Sequence, residues 1–517
     1  MKLNLSRVIR GLLLLVAGLS AAGQDLASEA RSVTFSKDVA PILYDHCSSC
    51  HQADAGAPFK LTSYRDAKRR ARQIREVVED RFMPPWHAEK TDFPFANDPT
   101  LTDDEIKLIQ AWVEQGAVEG NLEDLPAMPV ASRGWELGEP DLVLTMDRAY
   151  RVPAEGPDIY RYFGFELNLP EDRWVRAMQY LPGEREVAHH ALVFATDSKE
   201  WRDLDAAEEA VGFEKWQDQG RSSRRVLSWA LGMNARVFPE GIGLVLKKGQ
   251  DLVLQSHFHP SGAVADEVSS IGIYFADSPA KRETVEIQIP QNFGSLSGIE
   301  IPAGVSDYTL RESYTVPVDV QAHATLPHAH YIGKTFELNA YFPDGRRRDL
   351  LRIDEWNFAW QLLYRFRDPL LIPAGTRLET VITWDNTAEN PYNPYSPPQQ
   401  IDWGPYSEDE MGSIILDVVA VNDGDEGKLR RSLRDYRNRT IENLFVSQDG
   451  ALAQGLEAVQ RNHRRIAERV LRLHDQNGDL RLDANELEQA RKHYRDQGFD
   501  GGLQRQVARP ELQARVD

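Results

Sequence analysis

Cysteine is nearly missing from this 517-residue chain: Cys47 and Cys50 are the two it has. A disulfide framework of the kind that staples small secreted domains is therefore excluded. Positive charge is also short, with 60 Lys and Arg against 80 Asp and Glu and a formal net charge of −20. Such a balance repels phosphate backbones and anionic lipid, which argues against nucleic acid or a membrane surface as partner. Long apolar runs are absent beyond the N-terminus. The stretch GLLLLVAGLSAA at 11–22 has 12 residues, against the ~20 needed to span a bilayer. Preceded by Lys2, Arg7 and Arg10 and closed by Ser20-Ala21-Ala22, it reads as a cleaved export signal over 1–22, with an uncleaved anchor as the rival reading. The expected location is periplasmic or secreted, with no transmembrane anchor after cleavage. Internal repeats and low-complexity tracts are also lacking.

What remains is 41% hydrophobic, enough to pack several cores in a chain this long. The two cysteines stand in DHCSSCHQ, residues 45–52. A redox pair would sit between a strand and a helix, but SKDVAPILYDH before it has helical spacing. Structural zinc would need a second cysteine or histidine pair nearby. Covalent haem uses all three motif residues: Cys47 and Cys50 add to the vinyl groups and His51 ligates the iron. Downstream, Met83 in RFMPPWHA precedes two prolines that hold an extended turn, and its thioether is a candidate sixth ligand. TDDEIKLIQAWVEQG (102–116) follows with helical spacing and a Thr102/Glu105 capping box. Residues 33–120 resemble a class I c-type cytochrome domain, with His46 and His87 as bystanders.

A Pro-rich linker (121–137) leads into about 290 residues of short apolar runs separated by turn signals, including the hairpin signal Pro343-Asp344-Gly345. This pattern predicts two jelly-roll-like β-sandwiches, 138–290 and 291–425. From 427 the composition turns helical and charged. The expected fold class is multidomain: an α-helical cytochrome c domain, the two sandwiches, then a helical segment over 427–517.

Three histidine clusters fall in the β region: His189-His190, His257 with His259, and His328 with His330. Residues i and i+2 of a strand share a face, so His328 and His330 can hold one ion from one side. Adjacent His189 and His190 need a bend or bulge to do so. Imidazoles suit zinc, copper, iron and nickel alike, and the bland alternative is polar filling of a strand face.

The ordered set VAHHALVF, LVLQSHFHP, LPHAHYIGK and SEDEMGS resembles the copper type II, ascorbate-dependent monooxygenases, the peptidylglycine α-hydroxylating and dopamine β-hydroxylating enzymes, over roughly 138–420. The resemblance implies one copper on His189, His190 and His257. It implies a second, catalytic copper on His328, His330 and Met411, whose soft thioether favours Cu(I) where O₂ is met. His259 is expected to support the first set, and His323 to be structural. The chain departs from the amidating members where they bind peptide: Leu326, Ser413 and Ile415 stand at positions that hold Arg, Asn and Tyr there. A glycine-extended peptide is therefore not the expected substrate.

In the tail, DQNGDLRLDANE offers Asp475, Asn477, Asp479, the Arg481 carbonyl, Asp483 and Glu486 at EF-hand positions 1, 3, 5, 7, 9 and 12, with Leu480 in place of the usual glycine at 6. Calcium is the expected ligand, an acidic helix–loop–helix the alternative. His463, His474 and His493 are expected to face solvent. Together these readings imply an exported monooxygenase containing haem c and two coppers. It would hydroxylate a C–H bond of a small molecule with O₂, with electrons supplied or relayed by the haem from ascorbate, a cytochrome or a quinol. A non-catalytic electron-transfer or copper-binding protein is the alternative, and a calcium-regulated binding module with vestigial copper sites is a third reading.

Overall fold

A computed structural model describes residues 32–52, 57–128, 134–216, 223–230, 233–446, 451–459 and 464–496. The export signal expected at 1–22 and His463 lie outside the described residues. The chain divides into two compact units. The smaller comprises residues up to 48, 61–80 and 101–129, and the larger comprises 49–60, 81–100 and 130–517.

The smaller unit carries α1 (Ala40–His46), α2 (Tyr64–Arg69), α3 (Ala71–Glu79) and α4 (Asp103–Glu114). Helix α4 opens as its sequence predicts. The Glu105 amide donates to Thr102 Oγ1 at 3.3 Å and the Thr102 amide to Glu105 Oε2 at 2.7 Å, which satisfies two amides the helix start leaves orphaned. Leu43, Ile109 and Trp112 are fully buried in this unit. His46 lies 3.3 Å from Glu105.

The expectation of a self-contained α-helical cytochrome c domain over 33–120 is overturned. The chain is built mostly of strands in several sheets, with helices a minority. The interval itself is split, since 49–60 and 81–100 belong to the β-rich unit. The reason is long-range pairing. The Glu89 amide donates to the Arg352 carbonyl at 2.8 Å and the Ala96 amide to the Arg365 carbonyl at 2.7 Å. Trp86, Phe93 and Phe95 then pack on the core of the second half.

In the larger unit the longer strands are β1 (Leu142–Thr145), β2 (Ile159–Glu166), β3 (Arg173–Leu181), β4 (Ala188–Thr196), β5 (Ser223–Ala230), β6 (Ile242–Leu246), β7 (Asp251–Phe258) and β8 (Ser270–Phe275). They form one sheet containing β1-β8-β3-β6 and another ordered β2-β7-β4-β5. Met178 and Ile273 of the first sheet meet Phe163, Val193 and Leu254 of the second in one core.

The second half repeats the plan. Its strands are β9 (Val285–Ile289), β10 (Tyr308–Thr315), β11 (Val320–Ala329), β12 (Gly333–Tyr341), β13 (Arg347–Ile353), β14 (Tyr364–Ile372), β15 (Arg377–Trp384) and β16 (Gly412–Ala420). Sheets β9-β16-β11-β14 and β10-β15-β12-β13 enclose a second core around Ile287, Leu338, Tyr364 and Leu416. The turn at Pro343-Asp344-Gly345 joins β12 to β13, with Gly345 at φ +88°. The division of the halves falls before β9 rather than at 290, because β9 pairs with β16 of the second half.

The C-terminal helices α5 (Asp425–Phe445), α6 (Arg464–His474) and α7 (Ala484–Asp496) share a core with Leu482 and Leu487. His474 is buried there, contrary to the expected solvent-facing position.

Candidate metal centres

The adjacent pair His189-His190 reaches one point because β4 is bulged there. Its pairing with β7 jumps from Ala188↔Phe258 to His190↔His257, leaving His189 as the extra residue. A bulge of this kind re-aims a side chain. His190 Nδ1 then lies 3.3 Å from His189 Nδ1 and 3.0 Å from His257 Nδ1. The three rings offer nitrogen atoms all within 4.8 Å of one another. A single transition-metal ion bridges such a gap with three bonds of about 2 Å.

Outside this triad, His257 is fixed by groups that no local pattern announces. Tyr160, its cross-strand partner on β2, stacks on it with ring centres 4.3 Å apart at 11°. Asp158 accepts from His257 Nε2 at 2.8 Å and, with its other oxygen, from His259 Nδ1 at 2.7 Å. Ser407 donates to the same carboxylate at 3.3 Å. Burial alone would raise the Asp158 carboxyl, but the hydrogen bonds from both histidines outweigh it and hold it well below the usual range. With Nε2 engaged, Nδ1 is the atom His257 turns to the triad, the arrangement by which an outer carboxylate orients a metal-binding imidazole. Asp158→Asn is expected to weaken metal binding at the triad by about 10–100-fold, measured by competition against a chelator of known affinity; unchanged affinity would assign Asp158 a packing role only.

His328 and His330 lie near the end of β11, two residues apart, with ring centres 5.3 Å apart. His328 Nδ1 donates to Gln361 Oε1 at 2.5 Å, and His330 Nδ1 to the Asp409 carbonyl at 3.1 Å. Those bonds leave Nε2 as the atom each ring would present to a metal. Met411 enters through strand register. It directly precedes β16, whose register pairs Ala329 with Gly412 and His328 with Ser413, and it lines one cavity with His328 and His330. At Gly412 a Cβ would stand 2.4 Å from the Trp384 ring, so glycine lets the start of β16 lie against that ring.

The two ligand-bearing segments are tied by one buried carboxylate. Glu410 accepts from the amides of His330 (3.0 Å), Ile332 (2.9 Å) and Met411 (3.1 Å) and from Trp384 Nε1 (3.0 Å). Burial pushes its carboxyl up to about 8, against the opposing pull of those four donors.

Phe358 stands between the sets, its ring centre 5.6 Å from His189 and 5.7 Å from His330. The two imidazole centres are therefore separated by no more than the sum of those distances. His190, His328, His330 and Met411 line one cavity of about 650 Å³ between the halves of this unit. Burial lowers the imidazoles, His189 and His328 to about 4 and His330 to about 3, and neighbouring imidazoles lower His190 further. All four are neutral at pH 7, the state a metal requires.

The remaining sequence-predicted residues lie elsewhere. Cys47 caps α1 in the smaller unit, whereas Cys50, His51 and Met83 belong to the β-rich unit. His51 Nδ1 donates to the Phe59 carbonyl at 3.0 Å. His323 occupies a bulge of β11, and His323 and His87 each keep a buried Nε2 without a hydrogen-bond partner among the described residues. In the tail loop, Asp475 accepts from the Gly478 and Leu480 amides and Glu486 from those of Gln476 and Asp483. Leu480 adopts the left-handed conformation, φ +64°, that glycine normally fills at this position.

No protein-family model matches the chain, and no curated protein matches it. Among solved structures, a match to the infectious bursal disease virus Gx strain covers 56% of this chain and 75% of that one at 11% identity, with a TM-score of 0.18. The major capsid protein P2 of bacteriophage PM2 matches over 55% of this chain and 98% of its own at 10% identity, with a TM-score of 0.23. Likeness at that level carries no argument about this chain's fold or chemistry.

Proposed function

We propose that the chain is a copper-dependent monooxygenase that converts a small-molecule C–H bond to an alcohol: R–H + O₂ + 2e⁻ + 2H⁺ → R–OH + H₂O. The observation that supports it is the convergence of His189, His190 and His257, with His190 lining one cavity together with His328, His330 and Met411. The donor types fit copper. Three imidazoles suit an ion that cycles between two oxidation states, and a thioether favours its reduced form. Copper held by these residues would supply one-electron transfer and oxygen activation. Burial keeps His189, His190, His328 and His330 neutral, and Asp158, Gln361 and the Asp409 carbonyl fix ring orientation. The test is metal analysis of purified protein with an oxygen-uptake screen over small molecules under ascorbate. Two coppers per chain with substrate-dependent uptake is expected. Copper without uptake would leave a non-catalytic electron-transfer or copper-binding protein.

Two further cofactors are proposed from sequence motifs. Covalent haem at Cys47, Cys50 and His51 is expected to survive denaturing electrophoresis as peroxidase staining on the polypeptide, whereas extraction by acid–acetone would refute it. Calcium at Asp475–Glu486 is expected to raise the melting temperature of the full chain relative to chelator. Coincident curves would leave an acidic helix–loop–helix.

A further inference from the structure

The cavity wall is electrically closed. Its charged side chains are Arg224, Arg225, Arg236, Arg430 and Glu286. Every one of those arginines already holds a carboxylate. Arg225 meets Glu286 at 3.0 Å, Arg236 meets Asp417 at 2.8 Å, Arg224 pairs with Glu283, and Arg430 meets Glu283 at 2.9 Å and Glu426 at 2.6 Å. Four cations face four anions, so neither a carboxylate nor an ammonium ion finds an uncommitted counter-charge there. Much of the remaining wall is apolar or aromatic, with Phe194, Trp229, Phe293, Leu326 and Trp403 prominent.

Three residues of the lining carry unpaired polar groups. Trp216 Nε1, Gln288 Nε2 and Gln361 Nε2 are buried N–H donors without a hydrogen-bond partner among the described residues, and all three residues line the cavity. Buried donors left unpaired are unfavourable by about 1–3 kcal/mol each, so an occupant whose oxygen reaches any one of them offsets that donor's loss.

We infer that the cavity binds a neutral molecule with an aromatic or apolar body and at least one hydrogen-bond-accepting oxygen, and that its protein wall discriminates against the ionised forms of the same skeleton. The inference rests on the monooxygenase reading in taking this occupant as the substrate. A volume of about 650 Å³ falls within the range of small-molecule sites.

Four probes sharing one skeleton test it by calorimetry on the full-length protein, as purified and again after chelation: 2-phenylethanol, 2-phenylethylamine, phenylacetate and ethylbenzene. In the chelated protein the alcohol is expected to bind at least about tenfold tighter than either ion, because an ion entering the metal-free cavity loses its hydration without gaining a partner. It should also bind more tightly than ethylbenzene, which cannot accept a hydrogen bond. Glu286→Gln strips Arg225 of its carboxylate and is expected to raise phenylacetate relative to the alcohol by about tenfold, through a new charge-assisted pair. An ion binding as tightly as the alcohol in the chelated wild-type protein overturns the inference, equal affinity for ethylbenzene removes its acceptor clause, and ion binding seen only before chelation assigns that binding to the metal. Selective binding of the alcohol without oxygen uptake by any neutral probe counts against the monooxygenase reading and leaves the selectivity standing. Turnover of an ionised substrate counts against the selectivity alone.

Discussion

Met411→Ile is expected to leave a protein that keeps one copper per chain and does not hydroxylate. Isoleucine is close to methionine in volume, so the change removes the thioether sulfur with little change in packing, and an exchange of this type usually costs less than about 1.5 kcal/mol. The backbone at 411 has its own anchor, because the amide donates to Glu410 whatever the side chain. His328 and His330 also keep their outer partners, Gln361 and the Asp409 carbonyl. What is lost is the soft donor that selects the reduced ion. Turnover should fall by more than the roughly 100-fold that removing an outer partner of a metal ligand costs, while the His189/His190/His257 set is untouched. Metal analysis and oxygen uptake on the same preparation, beside a melting curve, read all three statements. Full turnover with two coppers would remove Met411 from the site, and loss of both coppers would mean that the two sets do not bind independently.

The legible part of this protein is what local periodicity encodes. Alternating runs and the Pro343-Asp344-Gly345 turn announce strands, and the HxH spacing of His328 and His330 puts two imidazoles on one face without any knowledge of the fold. The need for a bulge at His189-His190 also follows from strand geometry, and β4 carries one there. Partners brought in from far along the chain stay illegible. Asp158 meets His257 across 99 residues, and Phe358 touches both histidine sets from a connection between strands that shows no alternation. The same blindness explains the misplaced domain. A motif-bearing stretch between two helical patterns reads as one unit, yet 81–100 carries aromatic residues whose binding surface lies near residues 353 and 366. His474 misleads for a related reason, since a charged helix in isolation does not reveal which face three neighbouring segments will cover.

Metal-free protein is expected to be most stable near pH 6.5 and to unfold readily towards pH 4. Histidines in an unfolded chain take up a proton near pH 6.5, whereas burial holds His189 and His328 to about 4 and His330 to about 3, with His190 also lowered. Between those limits the unfolded state binds protons that the folded state refuses, so folding weakens as pH falls. The loss is about 1.4 kcal/mol per decade of pH for each imidazole that must stay neutral. Four such groups over two decades would remove on the order of 10 kcal/mol before any offset, comparable with the whole stability of an ordinary domain. Glu410 acts with the opposite sign. Its carboxyl is pushed up to about 8 in the fold, so its contribution is full below the ordinary glutamate value and fades as pH rises towards 8. Burial raises the carboxyls of Glu267, Glu312, Asp409 and Asp417 in the same sense, so these groups offset part of the imidazole loss on the acid side. Above pH 6.5 they act without the imidazoles, and stability should decline there. Denaturant midpoints of chelated protein at pH 5, 6.5 and 8 measure both arms. A midpoint that does not move between pH 5 and 6.5 would mean that these histidines are not held neutral by burial. Copper should steepen the acid arm, because protons then compete with the metal for the same nitrogens; equal slopes with and without copper would place the metal on other residues.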